Sequence, residues 1–412
     1  MLRSLILILL CLSPVLVSAG DWPQILGPHR NGIADDEAIS TQWPKAGPKV
    51  LWTAKLGSGF AGPAVRDGKV YQLHRIDDQL ILQCYDAMNG DPLWKVTHPC
   101  DYVATISYDD GPRCVPTVTE DLVITYGPAG RLQAVDLNTS KRLWLVNTHQ
   151  KYEATPGYFG AGSSPLVVKD RVIVNVGGRR TNAGMVAFSL KDGSELWKAT
   201  AEDASYSSPI LTQLGDQPVV LAITRLKCVA LDPESGKVLF DFPFGKRGPT
   251  VNAANPVIID EKLFLSASYG IGAKFGTLGM TGFQEEWSND RLLSSQYTTS
   301  VLKGDFLYGI HGRQDLGQAE LRCLHPENGE VAWSKTLNAY GTLILVNDKL
   351  LVTCIDGTLT IVEADPRAYR QLATASIQQA TQGGSALPAL SNGLFFVRDQ
   401  ETLRCLDLRK SN

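Results

Sequence analysis

The side chains with chemical capacity in this 412-residue chain stand mostly in short segments ahead of a series of prolines. Arg113 precedes Pro116, while Tyr158, Phe159, Ser163 and Ser164 precede Pro165; Tyr206 and Ser207 precede Pro209, and Asn252 and Asn255 precede Pro256. Tyr269 and His311 complete the set. An arginine here could draw a carboxylate or other acidic group into a fork of donors, or pair with a neighbouring aspartate. The serines could bond a ligand, or be small because strands crowd together where they lie.

Nothing in the set has the spacing of a reaction centre. The chain lacks Gly-x-Ser-x-Gly, His-x-x-x-His and Cys-x-x-Cys, and its histidines are scattered. No catalytic and no metal-binding residue is therefore expected. Asp109-Asp110-Gly111 lacks the spaced oxygens of a calcium loop and reads as a turn. Cys100 and Cys114 flank a polar loop and, in an exported protein where disulfides persist, are expected to be joined, two free thiols being the alternative. Cys84, Cys323 and Cys405 occupy places held elsewhere by Ala134, Ala187 and Ala230, so they read as small core residues. Cys228 and Cys354 also lie in apolar strands.

These places recur because the chain is a repeat. In residues 185–197, an alternating strand leads through Asp192-Gly193 to Leu196-Trp197, the pattern of a hairpin ending in a large aromatic. Cys84 to Trp94, Ala134 to Trp144, Ala230 to Phe240 and Cys323 to Trp333 repeat the ten-residue interval. Two more strands, opening near a proline, precede each hairpin: Pro63 to Tyr71, Pro116 to Ile124 and Pro165 to Ile173 are examples. Four antiparallel strands every 40–50 residues or so match a propeller blade. The aromatics Trp52, Trp94, Trp144, Trp197, Phe240, Trp287 and Trp333 would dock between blades. The fifth unit is irregular; in the seventh, Glu363-Ala364-Asp365-Pro366 lacks a turn glycine and Leu372 lies near the aromatic's place.

The last unit ends at Leu408, one strand short, whereas Val50-Leu51-Trp52-Thr53 is a strand without its hairpin. The fold class expected is all-β: an eight-bladed β-propeller of four-stranded antiparallel blades whose last blade is closed by the N-terminal strand, leaving no open edge. The expected organisation is a signal peptide over 1–19, an arm over 20–49, the propeller over 50–408 and a tail over 409–412. The signal peptide rests on Arg3, the apolar run from Leu5 to Leu12, and Val17-Ser18-Ala19 as a cleavage site. The arm reads as a surface strap pinned by Trp22 and Trp43. On that reading Trp22→Ala costs much less than Trp197→Ala, and loss of Asp21 to Thr41 leaves the ring intact.

The frame small-x-Asp-x-x-Thr/Asn-Gly-x-x-x-Trp resembles the tryptophan-docking repeat of pyrroloquinoline quinone (PQQ) type β-propellers, which include quinoprotein alcohol dehydrogenases and the assembly factor BamB. Asp21-Trp22-Pro23-Gln24, Gly27-Pro28-x-Arg30-Asn31-Gly32, Gly111-Pro112-Arg113-Cys114-Val115-Pro116 and Tyr206-Ser207-Ser208-Pro209 resemble exported members from planctomycete-type bacteria. The resemblance implies a central channel, at whose mouth Arg113 and the other residues named above would gather. The dehydrogenases carry adjacent cysteines near the quinone, and this chain has no Cys-Cys pair.

A noncatalytic scaffold is thus expected, exported to the periplasm or beyond, with a protein or polymeric partner at the propeller face. The alternative is a PQQ-dependent oxidoreductase using calcium; otherwise no cofactor is expected. A net charge of −3 and the lack of basic clusters argue against nucleic acid, and no second apolar run approaches the roughly 18 residues of a membrane span. A monomer is expected.

Overall fold

The computed structural model describes residues 20–106, 109–382 and 384–410, so the expected signal peptide lies outside the described residues. Eight antiparallel four-stranded sheets form a ring of blades over residues 64–99, 117–147, 166–199, 210–243, 257–289, 301–336, 341–376 and 389–407. Helix is confined to Thr148–Tyr152 and two short 3-10 turns among the described residues. The eighth blade takes its outer strand from the other end of the chain: Lys49–Lys55 pairs antiparallel with Thr402–Asp407. Trp52 there lies opposite Cys405, the same register as Trp94 on Cys84, Trp144 on Ala134, Trp197 on Ala187, Phe240 on Ala230 and Trp333 on Cys323.

The repeat is small opposite large for a packing reason. Five of the indoles lean over the outer turn of the next blade, where the N–H finds a carbonyl. Trp52 donates to Ala87 at 2.9 Å, Trp144 to Leu190 at 3.0 Å, and Trp197 to Pro233 at 3.0 Å. Trp287 reaches Pro326 at 2.7 Å and Trp333 reaches Asp365 at 2.8 Å. The turn glycines serve this contact twice over. Gly90 and Gly236 have φ of 76° and 70°, and a Cβ on them would lie 2.6 Å from the Trp52 ring and 2.5 Å from the Trp197 ring. A side chain there would be strained and would also lift the indole off its seat. The repeat Asp holds the turn: Asp136 and Asp232 each accept the backbone N–H three residues on, at 2.7 Å.

The two irregular units differ from the ten-residue interval. Trp287 faces Phe275 in blade five, and in blade seven Ala373, rather than Leu372, takes the aromatic's register opposite Ile361. Trp43 packs against the cluster that includes Leu372, Ala373 and Ala375, so the arm brings a large ring to the blade that lacks one.

The arm is where the sequence reading fails most clearly. It is a plug, not a surface strap. Trp22 exchanges both backbone hydrogen bonds with Val65 of blade one at 2.8 Å, and Val118 of blade two donates to Pro23. Arg30 donates to the carbonyls of Ser164 and Pro165 of blade three, both at 2.9 Å. Ile33–Ala34 then pairs in parallel with Leu345 and Val346 on the inner strand of blade seven, and Glu37 accepts from Asn392 and Gly393 of blade eight. Trp22 is 2% exposed. The segment therefore crosses the inner strands of the ring and fills its centre.

The expected disulfide is also absent: Cys100 and Cys114 are both free and buried, in different core clusters. Cys114 Sγ instead faces the carbonyls of Ala161 and Ser163 at 3.4 Å.

Two outcomes follow from this packing. Trp197→Ala and Trp22→Ala should both lose about 3–5 kcal/mol in denaturant unfolding, the range for truncating a large buried aromatic. Deleting residues 21–41 should also destabilise the ring, lowering the melting temperature; a deletion that melts like the intact chain would return the arm to the surface.

Candidate functional site

The links between blades all emerge on one face, together with the turns between second and third strands. This loop face holds a cup of about 630 Å³ on the ring axis. Ile25 of the plug is part of its lining, so the cup has a floor contributed by the arm. The wall is aromatic: Phe60, Tyr158, Phe159, Tyr206, Tyr269 and Tyr297, drawn from four inter-blade links and one turn.

The polar atoms of that wall are already bonded within the protein. Tyr206 Oη accepts the Phe159 N–H at 2.8 Å, and Phe159 packs against Tyr206 with centroids 5.6 Å apart. Tyr297 Oη donates to Gln314 at 2.9 Å, and Gln296 Nε2 donates to Tyr269 Oη at 2.9 Å. Arg113 lies between two ring faces, 5.4 Å from the Phe60 centroid and 5.1 Å from that of Phe159, and donates to Phe159 O at 3.1 Å. Burial holds its pKa below the usual arginine value, against the pull of Asp109. Arg313 stacks on Tyr269 at 4.3 Å and is ion-paired with Asp315.

Of the residues expected at the mouth, Arg113, Tyr158, Phe159, Tyr206 and Tyr269 line the cup. Ser164, Ser207, Asn252, Asn255 and His311 do not. Two of these residues, Ser164 and Asn255, join a chain of contacts between blades: Val115 N–H donates to Ser164 Oγ, Ser164 N–H to Ser208 Oγ, Ser208 N–H to Asn255 Oδ1, and Asn255 N–H to Thr299 Oγ1, at 2.8–2.9 Å. Ser164, Ser208 and Asn255, each directly ahead of a blade-opening proline, thus supply a side-chain acceptor to the preceding blade link, as Thr299 does without a proline. Asn252 Nδ2 is spent on the carbonyls of Thr224, Arg225 and Phe244. Ser207 is fully buried, its N–H bonded to Ser205 Oγ and Asn252 O.

His311 Nδ1 accepts the Ser294 N–H at 3.0 Å, and His74 repeats the arrangement with Gly57 in blade one at 3.0 Å. Burial, with Arg398 and Lys95 adding repulsion, pulls the His74 pKa down to about 4. Arg398 beside it donates to Gly57, Ala61 and Leu73 carbonyls, joining blade eight to blade one inside the ring.

Sequence reasoning missed Phe60, Tyr297, Gln296, Arg313 and Asp315, and it missed Arg30 beneath them. The inter-blade position of Phe60 and Tyr297 was available from the repeat frame. Arg313 and Asp315 lie in a turn that the repeat does not specify.

The chain was compared with known proteins. The family model described as outer membrane protein assembly factor BamB matches residues 44–200 and 150–335. The chain is 26% identical over 160 residues to the quinohemoprotein alcohol dehydrogenase ADH-IIG of Pseudomonas putida, a match spanning 36% of this chain and only 21% of that one. It is 19% identical over 381 residues to the outer membrane protein assembly factor BamB of Shewanella oneidensis, covering 76% of this chain and 89% of that one. The crystal structure of quinohemoprotein alcohol dehydrogenase from Comamonas testosteroni superposes with a TM-score of 0.69 over 95% of this chain and 81% of that one, at 14% identity. At that identity the likeness is one of fold.

Two measurements check the site. Arg30→Met leaves the Ser164 and Pro165 carbonyls without their donor and should cost about 1–3 kcal/mol in urea unfolding. For His74 the folded pKa lies below the unfolded value of about 6.5, so the unfolded chain takes up protons first as pH falls. The stabilisation is complete above about pH 6.5 and is lost between there and about 4. The unfolding midpoint should drop across that window, and less steeply in His74→Gln.

Proposed function

Because the chain belongs to the family described as outer membrane protein assembly factor BamB, we propose that it is an exported, noncatalytic propeller whose loop face holds a protein or polymeric partner. The observation that carries this reading is the cup itself. It is preformed, its hydroxyls and amides satisfy one another, and what it offers outward is ring surface rather than a reactive pair. Among the described residues of the wall no nucleophile stands against a base; Asp315, the carboxylate of that lining, is paired with Arg313. Aromatic surface of this kind binds by burial and stacking at low entropic cost. A partner side chain or a polymer end fits a cup of about 630 Å³.

Export is supported by the charged, apolar and small-residue order of residues 3–19, and by relatives named for the outer membrane. The periplasm or the exterior is the compartment proposed, with the chain acting as a monomer. No helix among the described residues is long and apolar enough to cross a membrane.

The PQQ alternative meets a poor fit in the residues present. PQQ is a planar tricarboxylate, and its acidic groups would have to displace Asp315 from Arg313 and compete with Asp109 for Arg113. Among the described residues, no three His, Cys, Asp or Glu converge as a calcium site. The blade tryptophans that could stack on a quinone are seated on neighbouring turns.

Micromolar PQQ with calcium should therefore neither raise the melting temperature nor confer alcohol oxidation with an artificial electron acceptor. A ligand at one hundred times its dissociation constant would stabilise by about 2.7 kcal/mol; such a shift, lost in Arg113→Ala, would overturn the noncatalytic reading. A photocrosslinker at Tyr158 should capture a defined partner that one at Met88, in an outer turn on the opposite face, does not.

A further inference from the structure

On the hairpin face, opposite the cup, a second cavity of about 470 Å³ opens beside the plug, with Gly20, Asp21, His29, Asp35, Asp36 and Glu37 in its lining. The lining contains four carboxylates and neither lysine nor arginine. Two of the four are engaged. Glu37 takes the Asn392 and Gly393 N–H groups, and Asp35 lies 3.5 Å from His29 Nε2. Asp21 is different. It is 8% exposed, its Oδ1 accepts the Asp67 N–H at 3.1 Å, and its Oδ2 has no hydrogen-bond partner. Nearby Arg66 is bound to Asp67. A buried carboxylate oxygen without a partner is costly, and with His29, the base of this lining, already beside Asp35, Asp21 calls for a cation.

The chain itself can supply one. Gly20 adjoins Asp21 in the same lining, and its φ of 96° and the Asn392 side chain, 2.3 Å from where a Cβ would stand, restrict the position to glycine. Val17-Ser18-Ala19 immediately precedes it with the small residues a leader peptidase reads. We infer that the leader is cut between Ala19 and Gly20 and that the α-ammonium so created is the cation of this acidic cavity, paired with Asp21. The inference rests on the export reading above. In the cut, water adds its hydroxyl to the Ala19 carbonyl carbon and a proton to the Gly20 nitrogen. The released amine takes up another proton from solvent at neutral pH. What was a neutral amide nitrogen then becomes a charge at the base of the plug, so removal of the leader would also fasten the segment that floors the cup.

The test uses the whole chain beginning at Gly20, prepared with a free amine and with an acetylated one, in the native sequence and in Asp21→Asn. Acetylation should lower the melting temperature by about 2 °C in the native sequence and change it little in Asp21→Asn. The Gly20 amine, followed by nitrogen-15 NMR, should titrate above the ordinary range of about 7.7–8.0. Equal melting of the free and acetylated proteins, or an amine titrating in the ordinary range, overturns the site. Mass mapping of the protein recovered from an exporting host should give Gly20 as its first residue. A cut at another bond overturns the Gly20 start alone, an uncut leader overturns the export reading with it, and the acetylation comparison judges the cavity independently of export.

Discussion

The ring depends on one strand pairing made between the two ends of the chain. Lys49–Lys55 lies on Thr402–Asp407, and until it does, blade eight has an unpaired edge. Closure over so long a loop is slow, because its entropy is paid before the contact forms. Once made, it seats Trp52 on the outer turn of blade one, as Trp144 and Trp197 are seated farther round. On the inner side Arg398 repeats the junction, donating to Leu73 of blade one and to Gly57 and Ala61 in the link that leads into it. Burial holds its pKa down to about 10, and carbonyl dipoles take the place of water around the charge.

The plug follows from the same constraint. To reach blade eight, the N-terminal segment passes across the hairpin face of the ring, and the sequence uses that passage to fill the axis. Gln24, Pro28 and Arg30 hold a tight loop together, Leu26, Gly27, Arg30 and Gly32 adopt left-handed backbone, and the Trp22 ring covers Gly27 too closely for a Cβ. Arg30, buried and pulled down to about 9, anchors the loop on blade three. A channel becomes a cup. A floored cup closes the axis and leaves an aromatic, internally bonded recess on the loop face.

Much of the fold was legible because its energetics repeat. A small residue ten positions before a large aromatic is the imprint of one contact made at most blade interfaces, and even the missing last strand could be inferred from it. Where the contact is altered the reading weakened: blade seven has Ala373 at the aromatic's place, and nothing in its sequence says that Trp43 joins the same cluster. The arm was misread because Pro, Gly and Asp suggest a loop, and loops are ordinarily superficial. Here its polar groups are satisfied by the inner strands of several blades. For the cup, half of the expected residues line it. The serines and asparagines were expected at the mouth, with strand crowding as the alternative for the serines, and whether they faced a ligand or each other depended on hydrogen bonds that spacing cannot reveal. Cys100 and Cys114 were paired for their loop and compartment, whereas each packs into its own cluster.

The central claim is that the N-terminal segment, plug and closing strand together, is part of the cooperative core of the ring. Native-state hydrogen exchange measures this directly, through the amides of Trp22, Gly32 and Leu56, bonded to Val65, Leu26 and Glu401 respectively. Their exchange should require the same free energy as that of Val220 and Leu221 in the middle of blade four, opening only with global unfolding. Exchange of the N-terminal amides through a local opening several kcal/mol easier than that of blade four would contradict the account and make both plug and closure a detachable strap.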